Sequence, residues 1–269
     1  MTKNILIIGA TRGLGASLAT HYASLPSTSL VYATTRSSNP PPSFPAPSKN
    51  DAHKKIRWLL NVDISQPDIG SILTTQIRPD NATLDVVVVS AGYFGFESFD
   101  APDWEKQVTM YTTSAIGPVF AVQALVKSSL VKEGGNGKVI LISSESGSIT
   151  LRHQSEGGGN YGHHASKAAL NMVGKLLSLD LKDKGIAVGL VHPGFMRTEM
   201  TRSVGFDKYW DQGGAVTPEE SAKSLVDFVE NDFDLSKTGT YWAPRGPGDI
   251  GTAEPVLGKN LSTPLELPW

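Results

Sequence analysis

Apolar positions along the chain form short continuous runs separated by stretches with helical spacing. Ile5-Leu6-Ile7-Ile8, Leu84 to Val89, Val139 to Ile142 and Ile186 to Val191 are runs with little polar alternation. Such runs are expected of strands buried on both faces of a parallel sheet. Leu30 to Thr35, Ile56 to Leu60 and Gly239 to Trp242 supply three more strands. Helical patterns fall between them: Ala16 to Tyr22, Gln66 to Ile77, Pro102 to about Leu130, and Tyr161 to about Lys184. A further helix opens at Thr217-Pro218-Glu219-Glu220, with Thr217 as N-cap, Pro218 at the first helical position and Glu220 at the third. Gly117-Pro118 interrupts the long helix at 102–130. Pro118 has no N–H for the carbonyl of Ser114, so that carbonyl is free to hold water or a ligand. This alternation predicts one α/β domain over residues 1–269, with a doubly wound, mainly parallel sheet between two helical layers.

Three stretches break the pattern. Residues 37–51 are rich in Pro and Ser and predict a surface loop. Residues 195–213 are placed to form a substrate lid, and residues 243–269 read as a C-terminal extension over the surface. In a chain of 269 residues, the 24 basic and 26 acidic side chains leave a net charge of −2, without long runs of either sign. That balance argues against nucleic-acid and membrane partners. The chain has no cysteine, which excludes disulfides and thiolate metal sites. The N-terminus enters a strand at once, so a soluble, cytoplasmic protein without a metal is expected.

The first apolar run ends in Gly9-Ala10-Thr11-Arg12-Gly13-Leu14-Gly15 and then a helix. Glycines at a strand-to-helix turn let the backbone approach a pyrophosphate, and the helix N-terminus offers aligned N–H groups. Strand before and helix after make this a Rossmann-type dinucleotide site rather than a plain turn. Where the second strand ends, an acidic residue would bond a ribose 2′-hydroxyl, but Thr35-Arg36 stand there. Arg36 and Arg12 together favour NADP(H) over NAD(H), because guanidinium groups suit a 2′-phosphate. Val62-Asp63 follow the third strand, and Asp63 can accept from an adenine amino group. Ser90-Ala91-Gly92 make a small-residue turn past which a cofactor can run, and Ser143-Ser144 follow a strand at its ligand-binding end.

The stretch Tyr161-Gly162-His163-His164-Ala165-Ser166-Lys167 opens the long helix. His163 and Lys167 are one turn apart on one face; Tyr161 falls on another if the helix already includes it, and can turn inward if the helix starts after it. A lysine beside an acid or a phenol tunes its pKa. Apolar positions on more than one side of this helix predict a homodimer or homotetramer built on it and on the 102–130 helix. Tyr93, Phe94, Phe96, Phe195, Phe206, Tyr209 and Trp210 are candidates for an apolar substrate pocket.

As a set, these pieces resemble the short-chain dehydrogenase/reductase family over about Lys3 to Val229. The matching stretches are the glycine turn, Asp63, Ser90-Ala91-Gly92, Ile142 to Ser148, Ser166 to Asn171, and His192-Pro193-Gly194-Phe195-Met196-Arg197-Thr198. Leu267-Pro268-Trp269 also looks like the C-factor-like branch, which includes carbonyl reductases. The resemblance implies that Ser144 binds a substrate carbonyl and that Lys167 holds the nicotinamide ribose. It also implies that Thr198, with Pro193, Gly194 and Met196 around it, meets the cofactor's carboxamide or phosphate region.

Two positions depart from the family pattern. His163 stands where the Tyr-x-x-x-Lys motif has its tyrosine, and Ser114 stands at the family's active-site asparagine. A phenol starts near pKa ~10 and a nearby Lys⁺ brings it toward neutral, whereas histidine starts near ~6.5 and is pushed further down. At ~6 Å and an effective dielectric of ~20 the repulsion is roughly 2.8 kcal/mol, or about two pKa units. His163 is therefore expected to be neutral, a hydrogen-bond donor rather than a strong acid. Tyr161 is the other candidate for the missing phenol. The expected activity is NADPH-dependent reduction of a ketone or aldehyde, in a small apolar or aromatic substrate, with an atypical proton donor. A non-redox catalyst using His163 as a general base, and a nucleotide-binding pseudoenzyme, are the alternatives.

Overall fold

The computed structural model describes residues 2–42 and 54–269. Of the expected loop at 37–51, residues 43–51 lie outside the described residues. Among the described residues, eight strands form one sheet in the order β3-β2-β1-β4-β5-β6-β7-β8. They are β1 (Lys3–Ile8), β2 (Thr28–Thr34), β3 (Ile56–Leu59), β4 (Val86–Val89), β5 (Gly137–Ile142), β6 (Ile186–Val191), β7 (Thr240–Ala243) and β8 (Leu265–Glu266). All pairs are parallel except β7 with β8. The chain builds from β1 to β3 in one direction and from β4 onward in the other. This reversal opens a crevice beyond the carboxyl ends of β1 and β4, where such sheets bind ligands.

The continuous apolar runs divide by parity between two cores. Leu6, Ile8, Val87, Val89, Val139 and Leu141 face one side, together with α2 (Ile69–Ile77), α4 (Gly117–Lys127) and α5 (Tyr161–Leu181). Ile5, Ile7, Val86, Val88, Ile140 and Ile142 face the other, against α1 (Gly13–Ser24) and α7 (Pro218–Asn231). Successive strand residues point to opposite faces, so both must be apolar where helices cover both. The three-layer, single-domain architecture is the one the pattern predicts.

Boundaries moved in places. The helix expected from Gln66 begins at Ile69. The 102–130 helix is α3 (Trp104–Tyr111), a π-helical turn at Thr112–Ile116 and then α4. Pro118 sits in the first turn of α4, so the missing proline donor is absorbed where the ladder changes register. The tail is not plain coil. It forms α8 (Ala253–Leu257) and β8, and Leu265 and Leu267 are buried. The short α6 (Glu199–Ser203) lies in the 195–213 segment. No helix among the described residues is long and apolar enough to cross a membrane.

Candidate active site

The glycine turn leads from β1 into α1, and two of its glycines have a steric reason. Gly9 has φ +90°, and a Cβ on it would come within 2.6 Å of Ala91. A Cβ on Gly15 would come within 1.9 Å of the Gly9 carbonyl oxygen. Thr34 at the end of β2 fixes the turn by accepting the Gly9 N–H at 2.9 Å. Arg12 is the N-cap of α1 and makes no side-chain cap hydrogen bond, and among the described residues no other side chain bonds the first-turn N–H groups. These conditions suit a pyrophosphate cradle.

A cavity of about 530 Å³ joins this turn to the ends of β4, β5 and β6. Of the residues expected from sequence, Gly9, Arg12, Gly13, Leu14, Gly15, Ser90 and Gly92 line it. So do Ser144, His163, Lys167, Pro193, Gly194, Met196 and Thr198. Lys167 is buried, and its ammonium donates to the Ile142 carbonyl at the end of β5 at 2.8 Å. Burial pushes its pKa down to about 8. Ser144 follows two residues later, and its hydroxyl accepts the Ser146 N–H at 3.2 Å.

His163 stacks on Phe94, with ring centroids 4.2 Å apart and planes 26° from parallel. Its Nδ1 is enclosed without a hydrogen-bond partner among the described residues. Its pKa falls to about 3, chiefly by burial, with Lys167, His164 and Arg152 adding smaller electrostatic pushes. Desolvation, rather than the Lys167 charge, is thus the first cause of the ring's neutrality. The start of α5 is set by Glu97, a buried carboxylate that accepts the Gly162 N–H at 2.9 Å, the Asp103 N–H at 3.0 Å and the Gln107 amide at 2.9 Å.

Other expected residues lie outside the cavity lining. Tyr161 begins α5 and is 43% exposed, in a separate hollow with Phe96 and Phe99. The helix starts at Tyr161 itself, so two residues of rotation carry its side chain away from His163. Ser114 is buried in the π-helical turn, its hydroxyl unpartnered. Asp63 turns its carboxylate onto the N–H and hydroxyl of Ser65, at 3.0 and 2.8 Å. Val62 is buried beside it, and its N–H donates to the Thr35 carbonyl at 2.8 Å. Arg36 is exposed just past β2, Ala91 packs against Gly9, and Thr11 is half-buried in the glycine turn.

The 195–213 segment closes one wall through Phe195, Met200, Phe206 and Tyr209, with Tyr93 and Phe94 facing it from the loop after β4. Phe206 meets Phe94 edge-on, at 5.6 Å between centroids. Trp210 does not line the cavity; Arg197 and Arg202 stack on it at 6.0 and 5.2 Å. Phe96 is likewise outside, in the Tyr161 hollow. Sequence reasoning missed Glu145, His192, Asp249 and Gly251, which complete the polar wall. His192 was visible within a motif, but nothing in the tail's composition marked Asp249 or Gly251.

A family model described as short chain dehydrogenase matches residues 3–208. The chain belongs to the short-chain dehydrogenase/reductase family. It is similar to an uncharacterized oxidoreductase of Saccharomyces cerevisiae, 30% identical over 236 residues, which are 82% of this chain and 87% of that protein. The short chain dehydrogenase gsfK of Penicillium aethiopicum is 33% identical over 241 residues, 84% of this chain and 92% of its own. In fold, the chain resembles the NADPH-bound carbonyl reductase from chicken fatty liver, with a TM-score of 0.75 at 20% identity. That match covers 100% of this chain and 94% of the other.

Proposed function

We propose that this oxidoreductase uses NADPH to reduce the ketone or aldehyde of a small apolar or aromatic substrate, with His163 in place of the usual phenol. The carrying observation is that one cavity joins the uncapped N-terminus of α1 to Ser144, His163 and Lys167. The residues present fit a dinucleotide: α1 N–H groups for the pyrophosphate and Lys167 for the nicotinamide ribose. Arg12 and Arg36 suit the 2′-phosphate, and Pro193 to Thr198 suit the carboxamide region. The bound cofactor supplies hydride.

Ser144 donates a hydrogen bond from its hydroxyl to the substrate carbonyl oxygen. His163 does the same from its cavity side. An enclosed Nδ1 without a partner costs less as a bare acceptor than as an orphan N–H, so the neutral ring carries its proton on Nε2. Burial and the Lys167 charge both disfavour imidazolium, so His163 acts as a neutral hydrogen-bond donor to the carbonyl oxygen, and the proton that completes the alcohol is drawn from solvent. Burial and the neighbouring ammonium make His163 a poor general base, which tells against the non-redox reading. The aromatic wall of Phe94, Phe206 and Tyr209 supports an apolar or ring-bearing substrate.

NADPH oxidation against a panel of aromatic and aliphatic carbonyls, with NADPH binding measured alongside, tests this reading. Binding with turnover supports it. Binding without turnover on any carbonyl points instead to a regulator, and no binding sinks the cofactor assignment.

A further inference from the structure

We infer that His192 is a positioning residue: its Nδ1 holds the Ser144–Glu145 turn, and its Nε2 ties that turn to the C-terminal segment at Asp249. His192 follows β6, is buried, and its N–H donates to the Trp242 carbonyl at 2.8 Å, so its backbone is fixed by the sheet. Nδ1 accepts the Glu145 N–H at 3.0 Å. A neutral ring that accepts at Nδ1 carries its proton at Nε2, which lies 3.3 Å from the Asp249 carbonyl oxygen. One imidazole therefore bridges the end of β5, the end of β6 and the segment after β7. Ser144, Asp249 and Gly251 all face the cavity, so the ring sets the spacing of its polar wall.

The neighbours hold the two ends of this bridge. Arg152 pairs with the Glu145 carboxylate, and Arg245 donates to the Asp249 carboxylate at 3.1 Å. Glu145, Asp249 and Arg152 are the charged groups that face the ring, the first two favouring its protonation and the third opposing it. Burial outweighs them and keeps the ring neutral. Protonation would set Nδ1–H against the Glu145 N–H, so the contact exists only in the neutral form. The holding of the turn is independent of the proposed reaction. Its consequence for turnover rests on the reading of Ser144 above.

Two substitutions separate the ring's two nitrogens. His192→Asn keeps an acceptor near the place of Nδ1, and His192→Gln keeps a donor near Nε2 but leaves the Glu145 N–H unpaired. Amide hydrogen exchange at Glu145 should rise about tenfold or more in His192→Gln, and stay within about threefold of wild type in His192→Asn. With phenanthrenequinone as the carbonyl probe, kcat should fall about tenfold or more in His192→Gln. NADPH affinity should stay within about threefold, and His192→Asn should restore most of the rate. Nitrogen NMR of the wild type should show Nδ1 bare and Nε2 protonated; the reverse tautomer overturns the inference. Equal exchange at Glu145 in all three proteins overturns it too. If no protein turns over the probe while the exchange pattern holds, the reductase reading falls and the positioning role stands.

Discussion

The Lys167 ammonium donates to the Ile142 carbonyl across 2.8 Å, joining the helix that carries His163 to the strand that ends two residues before Ser144. That contact holds the buried charge on a fixed carbonyl and leaves its remaining protons for the cavity. Lys167→Met should therefore weaken NADPH binding by about tenfold or more and abolish turnover. Lys167→Arg keeps the charge on a longer, planar group and should weaken both less. Fluorescence titration of NADPH decides it: unchanged affinity in the Met variant removes Lys167 from the cofactor site.

Arg12 and Arg36 differ in surroundings, and that difference is testable. Arg12 lines the cavity mouth and pairs with Glu199 at 3.2 Å, whereas Arg36 is exposed past β2. The Arg12 pair is exposed and so worth little by itself, leaving the guanidinium free to exchange partners. Arg36→Ala should lower affinity for NADPH at least about tenfold while changing NADH by less than about threefold. An equal loss for both cofactors would show that Arg36 does not read the 2′-phosphate.

The fold was legible because burial on both sheet faces leaves a plain mark, the apolar runs at Ile5 to Ile8 and Val86 to Val89. The glycine turn was legible for steric reasons, since Gly9 and Gly15 admit no side chain. β8 was not. A two-residue strand between Pro264 and Pro268 offers too few positions for a period, and its pairing with β7 is a long-range fact. The location of His163 followed from helical spacing, but the main cause of its neutrality did not. Desolvation depends on Phe94, which lies on a loop far away in sequence and stacks on the ring. Tyr161 stays out of the cavity because α5 already includes it, and two residues of helix turn its side chain by about 200° from that of His163.

Glu97 receives three donors at once, from Gly162, Asp103 and Gln107. Glu97→Ala would leave those donors short of a charged acceptor in a buried place, costing roughly 3 kcal/mol in chemical denaturation. Glu97→Gln retains the shape and part of the acceptance, and should lie between. A loss in the Ala variant below about 1 kcal/mol would mean that water replaces the carboxylate.

The outer faces of α3, the π-helical turn, α4 and α5 expose Val108, Ile116, Phe120, Met172, Leu176 and Leu179. Exposed apolar residues on adjoining helices support self-association through this side. Light scattering at micromolar concentration should give a dimer or tetramer, and Leu176→Glu with Leu179→Glu should shift it toward monomer without loss of helix signal. A wild-type monomer ends this expectation.

His163 is uncharged in the folded chain because its ring is buried. Its pKa is about 3 in the folded chain and near 6.5 when unfolded. Between those values the unfolded state binds a proton that the folded state does not, so stability rises with pH across that window. Acidifying below about 6.5 should cost stability with a slope approaching about 1.4 kcal/mol per pH unit from this residue alone, and the cost should level off near pH 3. Other buried histidines, His192 among them, add slopes of the same sign, so the measurement is a difference between two proteins. His163→Phe keeps an aromatic ring on Phe94 and removes the titration. Urea denaturation from pH 7 to pH 4 should give a flatter stability profile for the variant than for wild type. Parallel profiles would mean that the ring is protonated or solvated in the folded chain. The same neutrality predicts that kcat shows no ionisation of His163 near pH 6.5. His163→Tyr introduces a phenol beside Lys167, whose charge favours phenolate. If the site is a reductase, this variant should raise turnover on the carbonyl panel and give it a new dependence on pH in the range where a lysine-stabilised phenol ionises. Loss of all turnover in His163→Tyr, with NADPH binding intact, would instead show that the imidazole does chemistry a phenol cannot replace.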